Sequence, residues 1–168
     1  MMMMPAQSAL WLLPFVTPLA LIAAWSEMKW MKIHNWTVLA LVAVYAIVGF
    51  FALSLSSWAW GWASLAVVLV LGFVLSTVGL IGAGDAKFMA AMAPFVALGD
   101  LSMFLMLLAA VVVVSFVAHR LARRSTTVQG WAPHWESWHR REFPMGLALG
   151  PSLLFYLCLA SIFGTRVG

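Results

Sequence analysis

Apolar residues fill this chain in six blocks with almost no charge inside them, and a chain of that pattern has few folds open to it. Backbone placed in hydrocarbon must satisfy its own N–H and C=O groups, and about 20 residues of helix span the apolar layer. The blocks run from Ala9 to Trp25, Trp36 to Leu55, Trp60 to Leu80, Ala86 to Leu98, Leu101 to Ala118 and Pro144 to Phe163. With 65% hydrophobic and 8% charged residues and a mean hydropathy of +1.04, a water-soluble globule is excluded. The expectation is an all-α polytopic membrane protein, a bundle of about six transmembrane helices. Residues 1–168 are read as one transmembrane domain without a soluble appendage.

The first block is read as a span and not as a cleaved signal peptide, because Met1 to Ser8 contains no Lys or Arg. Pro14 and Pro18 inside it are tolerable where neighbouring helices satisfy the freed carbonyls. The fourth block is short for a span, so its helix either starts below the membrane surface or bends at Pro94.

Orientation follows from the positive charges, which are retained on the cytoplasmic side. Threading six spans puts Lys29, Lys32, Lys87, Arg120, Arg123, Arg124, Arg140 and Arg141, eight of the nine basic residues, on one face. Arg166 alone falls on the other. The reading is a multi-pass membrane protein whose basic loops face the cytoplasm, and a pI near 9.9 reports those loops instead of nucleic-acid binding. The same threading brings Glu27, at the end of span one, and Asp85, at the start of span four, to the inner boundary. Asp100 falls in the outer link between spans four and five.

Two carboxylates that meet there have a definite chemistry. Held together, they do not both ionise cheaply, so one keeps a proton while the other stays charged. The ionised acid can take a proton from water as the protonated one polarises a peptide carbonyl, and the roles then reverse to protonate the leaving amine. Asp85 at a helix start is also suited to capping and to the helix dipole, and Glu27 alone would pass as an interfacial charge. Asn35 is expected to cap span two or to orient the loop bearing Glu27, with capping favoured. Lys29 and Lys87 serve as inner-face anchors, and Lys87 beside Asp85 would favour its charged form.

Around these acids the residues resemble a known family. Gly82-Ala83-Gly84-Asp85-Ala86-Lys87 matches the Gly-x-Gly-Asp-x-Lys signature of type IV prepilin peptidases, the GxGD membrane aspartic proteases that cleave pilin leaders. Glu27-Met28-Lys29, followed by Ile33-His34-Asn35, is similar to the family's Asp-x-Arg/Lys and Ile-Pro-Asn, with Glu for the catalytic Asp and His for Pro. Phe143-Pro144-Met145-Gly146-Leu147-Ala148 resembles a third family motif, Pro-Tyr/Met-Gly-x-Ala. The short chain looks like the small form that accompanies tight-adherence (Tad/Flp) pili. The larger forms' Cys-x-x-Cys pairs have no counterpart, since Cys158 is the one cysteine.

What the resemblance implies is an aspartic endopeptidase acting on prepilins at the cytoplasmic membrane boundary. Glu27 and Asp85 would be catalytic, with Gly82, Gly84, Lys87, Lys29 and Asn35 as supporting motif residues. It implies no metal or organic cofactor. Its partners would be a prepilin, the lipid bilayer and pilus or secretion machinery, with no nucleic acid. The extra methylene of Glu27 displaces its carboxylate relative to Asp, which leaves open a homologue that binds pilin or aids assembly without cleaving. A channel or transporter lined by Asp85 would show internal repeats or paired broken helices, and none is evident.

Several other features have plain readings. Trp11, Trp25, Trp30, Trp36, Trp58, Trp60 and Trp62 form an interfacial belt. Trp131, Trp135 and Trp138 suggest an amphipathic segment on the inner leaflet. His134, Glu136 and His139 lack the spacing of a zinc site. Gly146 and Gly150 suit close helix packing.

Overall fold

Small side chains decide which helices touch in this protein. The computed structural model describes residues 2–165, so Arg166 lies outside the described residues. A short strand β1 (Met2–Pro5) leads into α1 (Ala6–Trp30), then α2 (Asn35–Ala52), α3 (Leu55–Thr77), α4 (Ala83–Met92), α5 (Leu101–Ala122), α6 (Thr126–Trp131) and α7 (Gly146–Phe163). Strand β2 (Gly164–Thr165) pairs in parallel with β1. The all-α membrane architecture read from the sequence is present, with α1, α2, α3, α7 and the stretch Leu98–Ala122 each long and apolar enough to cross a bilayer.

The closest pair is α1 with α7. Ala20 and Ala23 on α1 face Gly150 and Gly146 on α7, and Ala24 and Ala148 beside them are buried as well. In lipid, association depends on close packing and not on hydrophobic gain, so a small-residue seam is what this contact needs. A Cβ on Gly150 would lie 2.5 Å from the Ala20 carbonyl oxygen. Gly150→Ala should therefore force the helices apart and cost about 2 kcal/mol, the usual scale of overpacking. Thermal unfolding in detergent checks this, with Gly130→Ala as the neutral control because its Cβ would meet open space.

Helix α2 lies beside α1, α5 beside α7, and α3 covers α4. Helix α3 begins at Ser54, whose hydroxyl accepts the Ser57 N–H at 3.2 Å, a standard N-cap. It is fixed to α2 by Tyr45, whose hydroxyl donates to the Trp58 carbonyl at 2.9 Å and occupies space that a Gly61 side chain would fill. Tyr45 opens a π-helical turn, Tyr45–Gly49, which re-aims this side chain within α2. Nearer the end that carries Asp85, Gly72 of α3 lets Ala86 of α4 approach to 3.0 Å of where its Cβ would be.

The fourth block departs from a full span. Helix α4 stops at Met92, and the chain passes through one 3-10 turn containing Pro94 and a second at Leu98–Asp100. Proline lacks the N–H needed to continue the α-helical ladder, so the helix ends where Pro94 approaches. The sixfold expectation thus becomes five long helices around one short, deeply placed helix.

Asp100 lies at the end of the bundle opposite Glu27, beside the start of α1. Its carboxylate accepts N–H bonds from Met3 at 2.7 Å and Met4 at 3.0 Å, and the Tyr156 hydroxyl at 2.9 Å. Strand β1 is held against the bundle by this buried acid.

Two expectations need correction. Asn35 does not cap α2: the cap position is His34, and the Asn35 side chain instead accepts a hydrogen bond from Lys87 Nζ at 3.3 Å. Trp138 does not lie on the leaflet. It is buried, stacks on His119 at 5.5 Å and on Trp135 at 5.7 Å, and donates to the Ala132 carbonyl at 2.9 Å. Trp131, in contrast, is 81% exposed.

Candidate active site

Each of the two acids is delivered by a helix end. Glu27 lies on the last turn of α1, which closes at Met31 in the left-handed region (φ 50°), with the Met31 N–H bonded to the Glu27 carbonyl. Such a cap usually falls to glycine, and a methionine there carries backbone strain. The turn sends the chain straight into α2, so Glu27 points into the bundle and its residue is only 6% exposed. Its carboxylate accepts the N–H of Gly146, the first residue of α7.

Asp85 is the third residue of α4, and its carboxylate reaches back to the Gly82 N–H at the cap position. This is the reciprocal half of a capping box, satisfying a donor that the helix leaves without an internal partner. Both acids therefore sit at the positive end of a helix dipole, Glu27 at α7 and Asp85 at α4. Their side chains hydrogen-bond to one another. Two carboxylates this close do not both ionise cheaply, and that is the arrangement acid and base chemistry on a peptide requires.

A cavity of about 750 Å³ surrounds the pair, lined also by Lys32, Asn35, Lys87, Arg140, Glu142 and Met145. Lys87 and Asn35, bonded to each other, form part of its wall. Lys29 is not in it: its ammonium packs over the rings of Trp25 at 5.0 Å and Trp30 at 4.5 Å. That cation–π position suits the interfacial anchor. His134, Glu136 and His139 do not gather into a ligand set among the described residues, and Glu136 pairs with Arg140 at 3.8 Å.

The glycines divide by role. A Cβ on Gly82 would come within 2.7 Å of Asp85 Oδ2, whereas one on Gly84 would make only ordinary contact with Ile33 at 3.8 Å. Gly82→Ala should turn the Asp85 carboxylate and reduce turnover roughly tenfold to a hundredfold, with stability moving by less than about 0.5 kcal/mol. Gly84→Ala should do neither. Paired measurements of turnover and unfolding separate these outcomes. Gly146 is the residue whose part in the site the motifs left unstated: a Cβ there would lie 2.5 Å from Glu27 Oε2.

Comparison with known proteins bears on this geometry. A family model described as the type IV leader peptidase family matches residues 15–118, a stretch that contains both acids. The chain belongs to the type IV leader peptidase family. No curated protein and no solved structure matches it. The family match runs from within α1 into α5 and so covers the leader-peptidase core that carries Glu27 and Asp85. Gly146, which donates to Glu27, lies beyond it. Membership supports a leader-peptidase-like function on a prepilin substrate in a membrane.

Proposed function

We propose that this member of the leader peptidase family is an aspartic-type endopeptidase that removes the leader of type IV/Flp prepilins at the cytoplasmic boundary of the inner membrane. The observation that carries this reading is the contact between Glu27 and Asp85, two acids 58 positions apart in sequence, at the edge of one polar cavity. The ionised carboxylate takes a proton from water as the hydroxide adds to the scissile carbonyl, whose oxygen receives the proton held by the other acid. The tetrahedral intermediate then collapses, the C–N bond breaks, and the amine leaves with a proton returned from the dyad.

Gly82 and Gly146 hold the two acids through backbone N–H groups, and Lys87 with Asn35 forms the adjoining wall. Basic residues near the cavity, Lys32, Lys87 and Arg140, accord with a cytoplasmic site. Pilus or secretion machinery is the expected setting, and resemblance to the small Tad/Flp-type peptidases supports that assignment.

Glu27 itself favours a second reading, a homologue that retains pilin but does not cut it. The two are separated by co-expression with a pilin precursor, following leader removal and copurification together. Glu27→Asp draws the carboxylate back by about one C–C bond, roughly 1.5 Å, which widens the space between the acids for water. Cleavage by the parent, retained in Glu27→Asp, supports the peptidase. Uncut precursor that copurifies with the parent supports the binding role.

A further inference from the structure

A second cavity, apolar and about 330 Å³, opens at the surface of the bundle between α3 and α5. Its walls include Ser64 and Val67 of α3 and Leu105 and Leu108 of α5; its floor is Met89 of α4 and Ala93 just beyond it. Met89 also lines the cavity around Glu27 and Asp85, so the two spaces meet at one side chain. We propose that this groove seats the apolar helix that follows the scissile bond in the substrate, an inference that rests on the prepilin reading above.

The direction of the groove fits that occupant. From Asp85 to Met89 is one turn of α4, a rise of about 6 Å at 1.5 Å per residue. Beyond Met89 the groove continues away from the acids, along α3 from Val68 to Trp60 and along α5 from Leu108 to Leu101. That is about 11 Å of helix, or two turns. A substrate bonded across the dyad would thus have its reacting carbonyl at the polar end and its next turns against α3 and α5. The volume suits the ridge of a helix and not the whole of it, leaving the substrate's outer side to lipid.

The chemistry of the lining agrees. Between helices in a bilayer there is no hydrophobic gain from contact, so affinity comes from close approach. Ala63, Ser64 and Ala93 supply low points on the groove surface, and Leu105 and Val67, both more than half exposed, stand as its rims. Helix α4, ending at Met92, leaves the floor recessed where a full span would have filled it.

The test uses the full chain in lipid vesicles with a pilin precursor that retains its apolar helix. A photo-crosslinking phenylalanine derivative is placed at Val67 or Leu105, and at Ile47 as a control on the exposed face of α2. Crosslinks from both groove positions at least tenfold above Ile47 are expected. Ser64→Trp, which fills the groove from α3, should raise KM for the precursor at least tenfold with kcat changed less than threefold, and Ile47→Trp should leave both unchanged. Equal crosslinking from all three sites, or an unchanged KM in Ser64→Trp, overturns the proposal and assigns the groove to lipid chains. Crosslinking does not require cleavage. Groove crosslinks without leader removal would overturn the peptidase reading alone, and leader removal without them would overturn the groove alone.

Discussion

Asp85→Asn is expected to abolish leader removal, with a fall in turnover of about a thousandfold, in the middle of the range for loss of a general acid or base. Asn keeps the shape and still accepts the Gly82 N–H, so the helix start survives. What it cannot do is carry the proton that the pair exchanges. Glu27→Gln should give a loss of similar size, and the double variant little more, because members of one catalytic unit are far from additive. Folding stability should hold or rise in the single variants, since a neutral amide relieves the crowding of two buried acids. The parent's activity should decline at both pH extremes, as the pair gains a second proton on one side and loses its last on the other. Single-turnover processing alongside thermal unfolding checks all of this. Turnover by Asp85→Asn within tenfold of the parent would remove the dyad from consideration.

Asp100→Leu is expected to produce the largest loss of stability, about 3 kcal/mol, with the chemistry at the other end left intact. The carboxylate accepts from Met3, Met4 and Tyr156, and it is 5% exposed. A leucine strands three donors away from water, each costing about 1–3 kcal/mol unless the chain relaxes to recover it. Strand β1 is the element free to relax, so the measured cost should fall well short of the sum. Asp100→Asn should cost less, since an amide oxygen in the Oδ2 position still accepts from Met4 and Tyr156 and only the Met3 N–H loses its partner. Thermal unfolding in detergent gives the magnitude, and faster proteolysis near Met3 shows where the loss falls.

How far the sequence discloses this site depends on what kind of atom does the work. Glu27 and Asp85 were legible because side-chain chemistry and glycine spacing are written in residue identity. The Gly146 N–H was not, because every residue except proline carries that donor and only the meeting of α1 with α7 selects this one. Asn35 departs from its capping expectation for a related reason. Asn at a helix start favours capping, yet here the chain places it one residue inside the helix and next to Lys87, and a long-range partner outweighs the local preference. The short fourth helix was visible through Pro94, while the depth at which it ends depends on neighbours. Trp138 illustrates the limit for aromatic residues: an indole suits a leaflet or a protein stack equally, and His119 decides between them.

The two acids ride on different parts of the bundle. Glu27 belongs to α1, locked to α7 through the alanine and glycine seam, while Asp85 belongs to α4, which is covered by α3. The hydrogen bond between them consequently acts as a gauge of how those parts are seated, and a sideways slip of about 1 Å is enough to spoil it. Because mismatch between helix length and apolar thickness is relieved by tilting, the surrounding amphiphile is expected to bias that seating. Turnover compared across micelles of different chain length would then report mechanical fit as much as reactivity.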